Sequence, residues 1–221
     1  MGDNTVPTIS AYVFDLDGTL IDSEILWVEA AHMLLRDYGY DVSFEEALRI
    51  VYGRAWENIY TLIKEEYPRL RMPVATLQRE FEERFAPLRD SRDIRIRGSV
   101  ALLKRLATTH PVGIVSGSYV KDIAHAVALL GIEDIIAFYV GFEHVPAGKP
   151  DPACYRMAAE KFGLPPETCC AFEDSTPGIH AAKDAGLYCV ALARPDRPAQ
   201  DVSRADLVLD DLAKFTPEQL G

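Results

Sequence analysis

With 221 residues the chain is long enough for one large domain, or for a core with a smaller insertion, and it can bury a sizeable core. Its composition, 48% apolar and 26% charged, is that of a globular protein. The net charge of −11 argues against duplex nucleic acid or an anionic membrane as the main partner, so an anionic substrate needs local cations or a metal. The start, Met1-Gly-Asp-Asn-Thr5, has no basic or apolar leader pattern, and no apolar run is long enough to span a bilayer. A reducing cytoplasmic location is therefore expected. The four cysteines (Cys154, Cys169, Cys170, Cys189) lack metal-ligand spacing and read as small hydrophobes.

In chain order, the apolar run Ile9–Phe14 predicts a short buried strand, followed directly by Asp15-Leu16-Asp17-Gly18-Thr19-Leu20. From Asp22 to about Tyr67 the pattern is helical. Leu26, Trp27, Ala30, Ala31, Leu34, Leu35 and Tyr38 form one stripe, with Asp22 or Ser23 as cap and Gly39 as stop. Ser43-Phe-Glu-Glu46 fits a capping box for a second helix ending near Gly53, and a third is expected over Ala55–Tyr67. A fourth begins at Pro73, with Leu77, Phe81, Phe85 and Leu88 on one face. The arginines from Arg84 to Arg97 are interrupted by Asp90 and Asp93 and read as a solvated face.

After Gly98 helices and strands alternate. Strands are expected at Val112–Val115, Phe138–Val140, Cys169–Phe172, Tyr188–Leu192 and Leu207–Leu209, with helices at Ser99–Ala107, Ile123–Leu130, Pro152–Phe162 and Pro177–Ala185. Such alternation implies a parallel sheet covered on both faces. The expected architecture is an α/β, Rossmann-like core of residues 1–21 and 94–221, interrupted by an all-helical insertion of residues 22–93.

Parallel sheets bind ligands beyond the carboxyl ends of their strands. Asp15 and Asp17 follow the first strand, where two like charges so close are a poor choice unless a cation joins them. Solvated carboxylates in an Asp-Gly turn are the alternative. Ser116-Gly117-Ser118 follows the second strand and can act as an anion cradle or as a plain helix cap. Lys149 stands between Gly148 and Pro150, and Glu173-Asp174 follows the fourth strand. Oxygen ligands without His or Cys point to Mg²⁺, and a metal, a lysine and an N–H cradle around a carboxylate suit phosphoryl transfer to that carboxylate.

These motifs resemble the four signatures of the haloacid dehalogenase superfamily over essentially the whole chain. The helical block after the first motif resembles the C1-type cap of the subgroup containing small-molecule phosphatases and β-phosphoglucomutase, and Glu173–Gly186 is particularly specific to it. The resemblance implies Asp15 as the nucleophile that becomes an aspartyl-phosphate and Asp17 as the proton donor and then base. It implies Ser116 and the Gly117 amide on phosphate oxygens, and Lys149 bridging nucleophile and phosphate. Mg²⁺ would be held by Asp15, the Asp17 carbonyl and Asp174, with Glu173 ligating or orienting a bound water. Asp17 disfavours the dehalogenase and phosphonatase branches. β-Phosphoglucomutase-like sequences carry a histidine where this chain has Trp27 and tend to carry a lysine where it has Tyr119, which favours hydrolysis.

The expected activity is thus Mg²⁺-dependent hydrolysis of a small phosphomonoester, a sugar phosphate by the look of Asp22–Trp27, by a monomeric protein. A phosphosugar mutase or an inorganic pyrophosphatase is the alternative, and a phospho-acceptor regulatory or inactive binding module is the reading from another class. Glu24, Trp27 and Arg54 are the candidates for substrate choice. Hinges between cap and core are expected near Leu20-Ile21 and between Asp90 and Gly98.

Overall fold

The computed structural model describes residues 8–54 and 56–220, and says nothing of the side chains of residues 56 and 57. The polar start at Met1–Thr5 and the expected first residue of the third helix, Ala55, lie outside the described residues. The chain divides into two compact units: Met1–Ile21 with Arg95–Gly221, and Asp22–Ile94.

The larger unit is one six-stranded sheet of order β3-β2-β1-β4-β5-β6, parallel throughout. Its strands are β1 Ala11–Phe14, β2 Val112–Val115, β3 Phe138–Val140, β4 Cys169–Glu173, β5 Tyr188–Leu192 and β6 Leu207–Leu209. β1, β2 and β4 are buried along their whole length, as expected of a parallel sheet covered on both faces. β4 runs one residue beyond the expected Phe172, because Glu173 is fully buried and still pairs with Ala191 of β5.

The residue period of two sorts the faces. Ala11, Val13, Cys169 and Ala171 pack with Tyr155, Ala158, Ala159, Ile179, Ala181 and Ala182 of the later helices, where small residues let helix and sheet approach closely. Tyr12, Phe14 and Phe172 form an aromatic layer with Phe215; the Phe14 and Phe172 rings stack at 4.4 Å. Asp15 and Glu173 continue the parity of Val13 and Ala171 and so belong to the small-residue face.

The helices of this unit are α5 Arg97–Leu106, α6 Val120–Leu130, α7 Ala153–Phe162 and α8 Thr176–Asp184. α6 and α7 end on Gly131 and Gly163 in the left-handed region.

The smaller unit holds α1 Glu24–Asp37, α2 Phe44–Val51, α3 Trp56–Glu66 and α4 Val74–Ser91. Ser43 Oγ accepts from the Glu46 amide as the capping box requires, but the Glu46 carboxylate accepts from Tyr67 Oη at 2.7 Å. Ser23 makes no side-chain cap of α1, its own backbone being already helical rather than extended as a cap requires. Pro73 caps α4 from outside rather than opening it, and Pro87 lies within its last two turns. The basic stretch is paired: Arg84 with Asp37 and Glu80, Arg89 with Asp90, Arg92 with Glu29.

The two connections run side by side. Within the larger unit Ile96 N donates to Leu20 O and Ile21 bridges Arg95; within the smaller, Asp22 N donates to Ile94 O. Among the described residues no helix is long and apolar enough to cross a membrane.

Candidate active site

β1 ends at Phe14, but Asp15 keeps one more ladder bond, its amide donating to Phe172 O at 2.9 Å. Ser116 does the same past β2, donating to Val140 O at 3.0 Å. Both side chains are therefore fixed by the sheet itself. After Asp15 the chain reverses at Gly18, whose φ of +88° favours glycine and whose absent Cβ would lie 2.1 Å from Asp174 Oδ2. The first motif can thus close on the fourth only with glycine there, and Thr19 Oγ1 ties the two by donating to Asp174 Oδ1 at 3.2 Å.

Lys149 is the hub. Its ammonium lies 2.5 Å from Asp15 Oδ1 and 2.5 Å from Glu173 Oε1, and the three side chains are 11%, 8% and 0% exposed. Burial alone would lower the lysine pKa, but the two carboxylates outweigh it and hold the ammonium charged far above neutral pH. Burial, assisted by Glu173 and Asp17, raises the Asp15 carboxyl well above its ordinary range, with Lys149 pulling the other way. The carboxylates around Lys149 contribute to both rises, but for Asp15 burial is the larger cause.

Glu173 is saturated. Oε1 accepts from Lys149 and from Tyr155 Oη at 2.8 Å; Oε2 accepts from the Asp174 and Ser175 amides and from Ser175 Oγ. Room for this carboxylate comes from Gly178 in the first turn of α8, since a Cβ there would lie 1.9 Å from Glu173 Oε1. Its oxygens are spent on orienting Lys149 and the turn into α8, so a direct metal contact would cost it one of these bonds.

The Asp17 carboxylate is held by two hydroxyls, Ser116 Oγ at 3.0 Å and Ser118 Oγ at 2.7 Å. Ser116 Oγ also accepts from the Ser118 amide. Beside the phosphate role that the resemblance implies for Ser116, its hydroxyl donates to Asp17, because the two lie at neighbouring strand ends. Gly117 borders open space, with nothing within 4 Å of where a Cβ would be.

One oxygen stands apart. Asp15 Oδ2 is buried and has no hydrogen-bond partner among the described residues. Single ligand oxygens of Asp15, Glu173 and Asp174 lie within 4.8 Å of one another. A buried orphan acceptor, surplus carboxylates and an all-oxygen donor set fit a hard divalent cation such as Mg²⁺.

In the smaller unit Glu24, Trp27 and Arg54 line one small, open hollow together with Val51 and Ile59. Trp27 is half-buried and stacks on Phe85 at 3.7 Å and 6°. Arg54 is exposed, with Nε donating to Arg49 O. Sequence reasoning placed Ser118 in the anion cradle without foreseeing its bond to Asp17, and it missed Tyr155. The spacing of two from Ser116 could have suggested that bond. Nothing local marks Tyr155, which reaches Glu173 only through the packing of α7 on the sheet.

A sequence model of haloacid dehalogenase-like hydrolases matches residues 12–192. The chain belongs to this family. A Drosophila melanogaster relative named probable pseudouridine-5'-phosphatase is 30% identical, over 100% of this chain and 97% of its own. Hexitol phosphatase B of Escherichia coli K12 is 29% identical, over 98% of this chain and 99% of its own. Among solved structures, CbbY from Rhodobacter sphaeroides in complex with phosphate superposes with a TM-score of 0.79 at 25% identity, covering 94% of this chain and 96% of that one. The two relatives are named phosphatases, and the chain is a hydrolase of the phosphatase kind.

Proposed function

We propose that this hydrolase cleaves a small phosphomonoester, of the sugar-phosphate type, through an aspartyl-phosphate on Asp15 with Mg²⁺ bound. The observation that carries the reading is the Asp15 carboxylate: one oxygen held by Lys149, the other buried without a partner, and a second aspartate two residues on. Asp15 attacks phosphorus while the bond to the leaving oxygen breaks, and Asp17 gives that oxygen its proton. Asp17 then takes a proton from water, which attacks the acyl phosphate, releases inorganic phosphate and restores Asp15. Lys149 draws Asp15 toward its ionised form and aligns it, and Ser116 and Ser118 hold Asp17 in place. Asp15, the Asp17 carbonyl and Asp174 would hold the Mg²⁺, which offsets repulsion between carboxylate and phosphate and stabilises transition-state charge.

Hydrolysis is favoured over mutase chemistry by what occupies two positions. Trp27 stacks on Phe85 and has no group suited to proton transfer, and Tyr119 packs against Phe142 at the protein surface and carries no positive charge. We assign substrate choice to the helical unit, through Glu24, Trp27 and Arg54, which line the same hollow.

The test is phosphate release across a panel of sugar phosphates, nucleotides and pyrophosphate. Activity should vanish with EDTA, return with Mg²⁺, and fall by on the order of 10³-fold or more in Asp15→Asn. Retained activity in Asp15→Asn would sink the nucleophile assignment, and isomerisation of β-glucose 1-phosphate would restore the mutase reading.

A further inference from the structure

Tyr155 touches the lysine at the centre of the site in two ways. Its hydroxyl donates to Glu173 Oε1 at 2.8 Å, the same oxygen that accepts from Lys149, and the Lys149 ammonium stands 5.2 Å from its ring centroid. The side chain is completely buried, on the first turn of α7, and Lys149 lies in the segment just before that helix. We propose that Tyr155 is a positioning residue for Lys149, setting how the ammonium divides itself between Glu173 and Asp15.

The argument follows from the acceptor inventory. Glu173 Oε2 is occupied by the Asp174 and Ser175 amides and the Ser175 hydroxyl, so the carboxylate cannot rotate. Oε1 then has two donors, Tyr155 and Lys149. A carboxylate oxygen that loses a neutral donor in a buried site draws harder on the remaining cationic one. Without the phenol, Lys149 moves toward Glu173 and loosens from Asp15 Oδ1, the group that must be aligned for attack. The ring face beneath the ammonium restricts its remaining freedom. Phenylalanine would preserve that face and remove only the hydroxyl, which separates the two contributions. Since Tyr155 lies behind Glu173 and Lys149, its influence is on the reacting geometry, and substrate affinity is left almost unchanged.

This inference rests on the hydrolase reading above, and the experiment separates their failures. Tyr155→Phe is compared with wild type, Lys149→Arg and the double variant, using whichever panel substrate the wild type hydrolyses. We expect kcat to fall about tenfold with KM changed less than about twofold. In the Lys149→Arg background the same substitution should change kcat hardly at all, because its route to the chemistry is already disturbed. A kcat within twofold of wild type, or full additivity with Lys149→Arg, overturns the proposal even if the melting temperature drops. A wild type that releases no phosphate from any substrate sinks the hydrolase reading instead. The ¹⁵Nζ resonance of Lys149, assigned by its loss in Lys149→Arg, then tests the positioning role by itself: Tyr155→Phe should shift it and speed its hydrogen exchange, and an unmoved resonance overturns the role. Should Tyr155→Phe fail to fold, 3-fluorotyrosine at position 155, a stronger donor of nearly the same shape, takes its place. A shift of the same resonance then supports the role, and an unmoved one overturns it.

Discussion

The strand ends of the larger unit and the hollow of the smaller one are built on opposite terms. At the strand ends, Asp15, Lys149 and Glu173 are nearly or wholly buried and held by the sheet ladder, the Gly18 reversal and a lattice of hydrogen bonds. The hollow rests on one aromatic stack and an exposed arginine at a helix break. A transferring phosphoryl group is the same in every substrate and rewards a rigid, dry, pre-aligned site. The rest of a substrate varies, and a partly open wall can change its chemistry without unfolding anything. If the hollow selects the substrate as proposed, reaction and selection can be altered separately in this chain.

The largest expected effect lies on the rigid side. Lys149→Met leaves two buried carboxylates without their cation and should cost about 3–5 kcal/mol, read from the shift in denaturant midpoint. A loss below about 1 kcal/mol would mean that the core site is far less tightly coupled than its geometry implies. Alkaline pH probes the same unit away from the site. Burial pushes Cys169 up to about 11 and Tyr12 up to about 12, and raises Cys170 as well. These groups stay neutral in the fold but ionise in the unfolded chain near pH 8.5 for Cys and 10 for Tyr. Their contribution is complete below those values and is lost as pH rises toward 11–12. Chemical denaturation should therefore show stability falling above about pH 8.5, and the four thiols should resist a thiol reagent at pH 8 until the protein is unfolded.

Smaller effects are expected in the helical unit. Trp27→Ala removes a half-buried ring from its stack on Phe85 and should cost about 1–2 kcal/mol, measured by thermal unfolding. Arg54→Ala should leave stability within about 0.5 kcal/mol yet change KM for the preferred phosphoester up to about tenfold and reorder the panel. If Arg54→Ala instead removed turnover of every substrate equally, the division between reaction and selection would break down.

Much of this was legible locally. The β2, β3, β5 and β6 ranges coincide with their apolar runs, because a short stretch of such residues bounded by polar turns has few other ways to be buried. The chemistry-bearing groups Asp15, Asp17, Lys149, Glu173 and Asp174 were marked by charge in places that a fold alone would fill with apolar side chains. Helix starts were less legible. Ser23 is a capping residue type yet makes no side-chain cap, and Pro73, expected as the first helical residue, stands one position before its helix with extended backbone angles.

By itself, then, the order of residues determined that strands alternate with helices, that a helical block interrupts them after the first strand, and that carboxylates and a lysine stand at strand ends. Periodicity and local charge are properties of neighbouring residues, and a linear chain displays them directly. Only the tertiary structure decided that β1 lies between β2 and β4, which brings Asp15, Ser116 and Glu173 to one edge from positions far apart in the chain. It also gave the Ser116 hydroxyl to Asp17 and saturated Glu173, and it placed Tyr155 behind Lys149. Hydrogen bonds between distant residues depend on which donor the packing brings within about 3 Å of which acceptor, and that is settled by the sheet order and by how closely α7 approaches it.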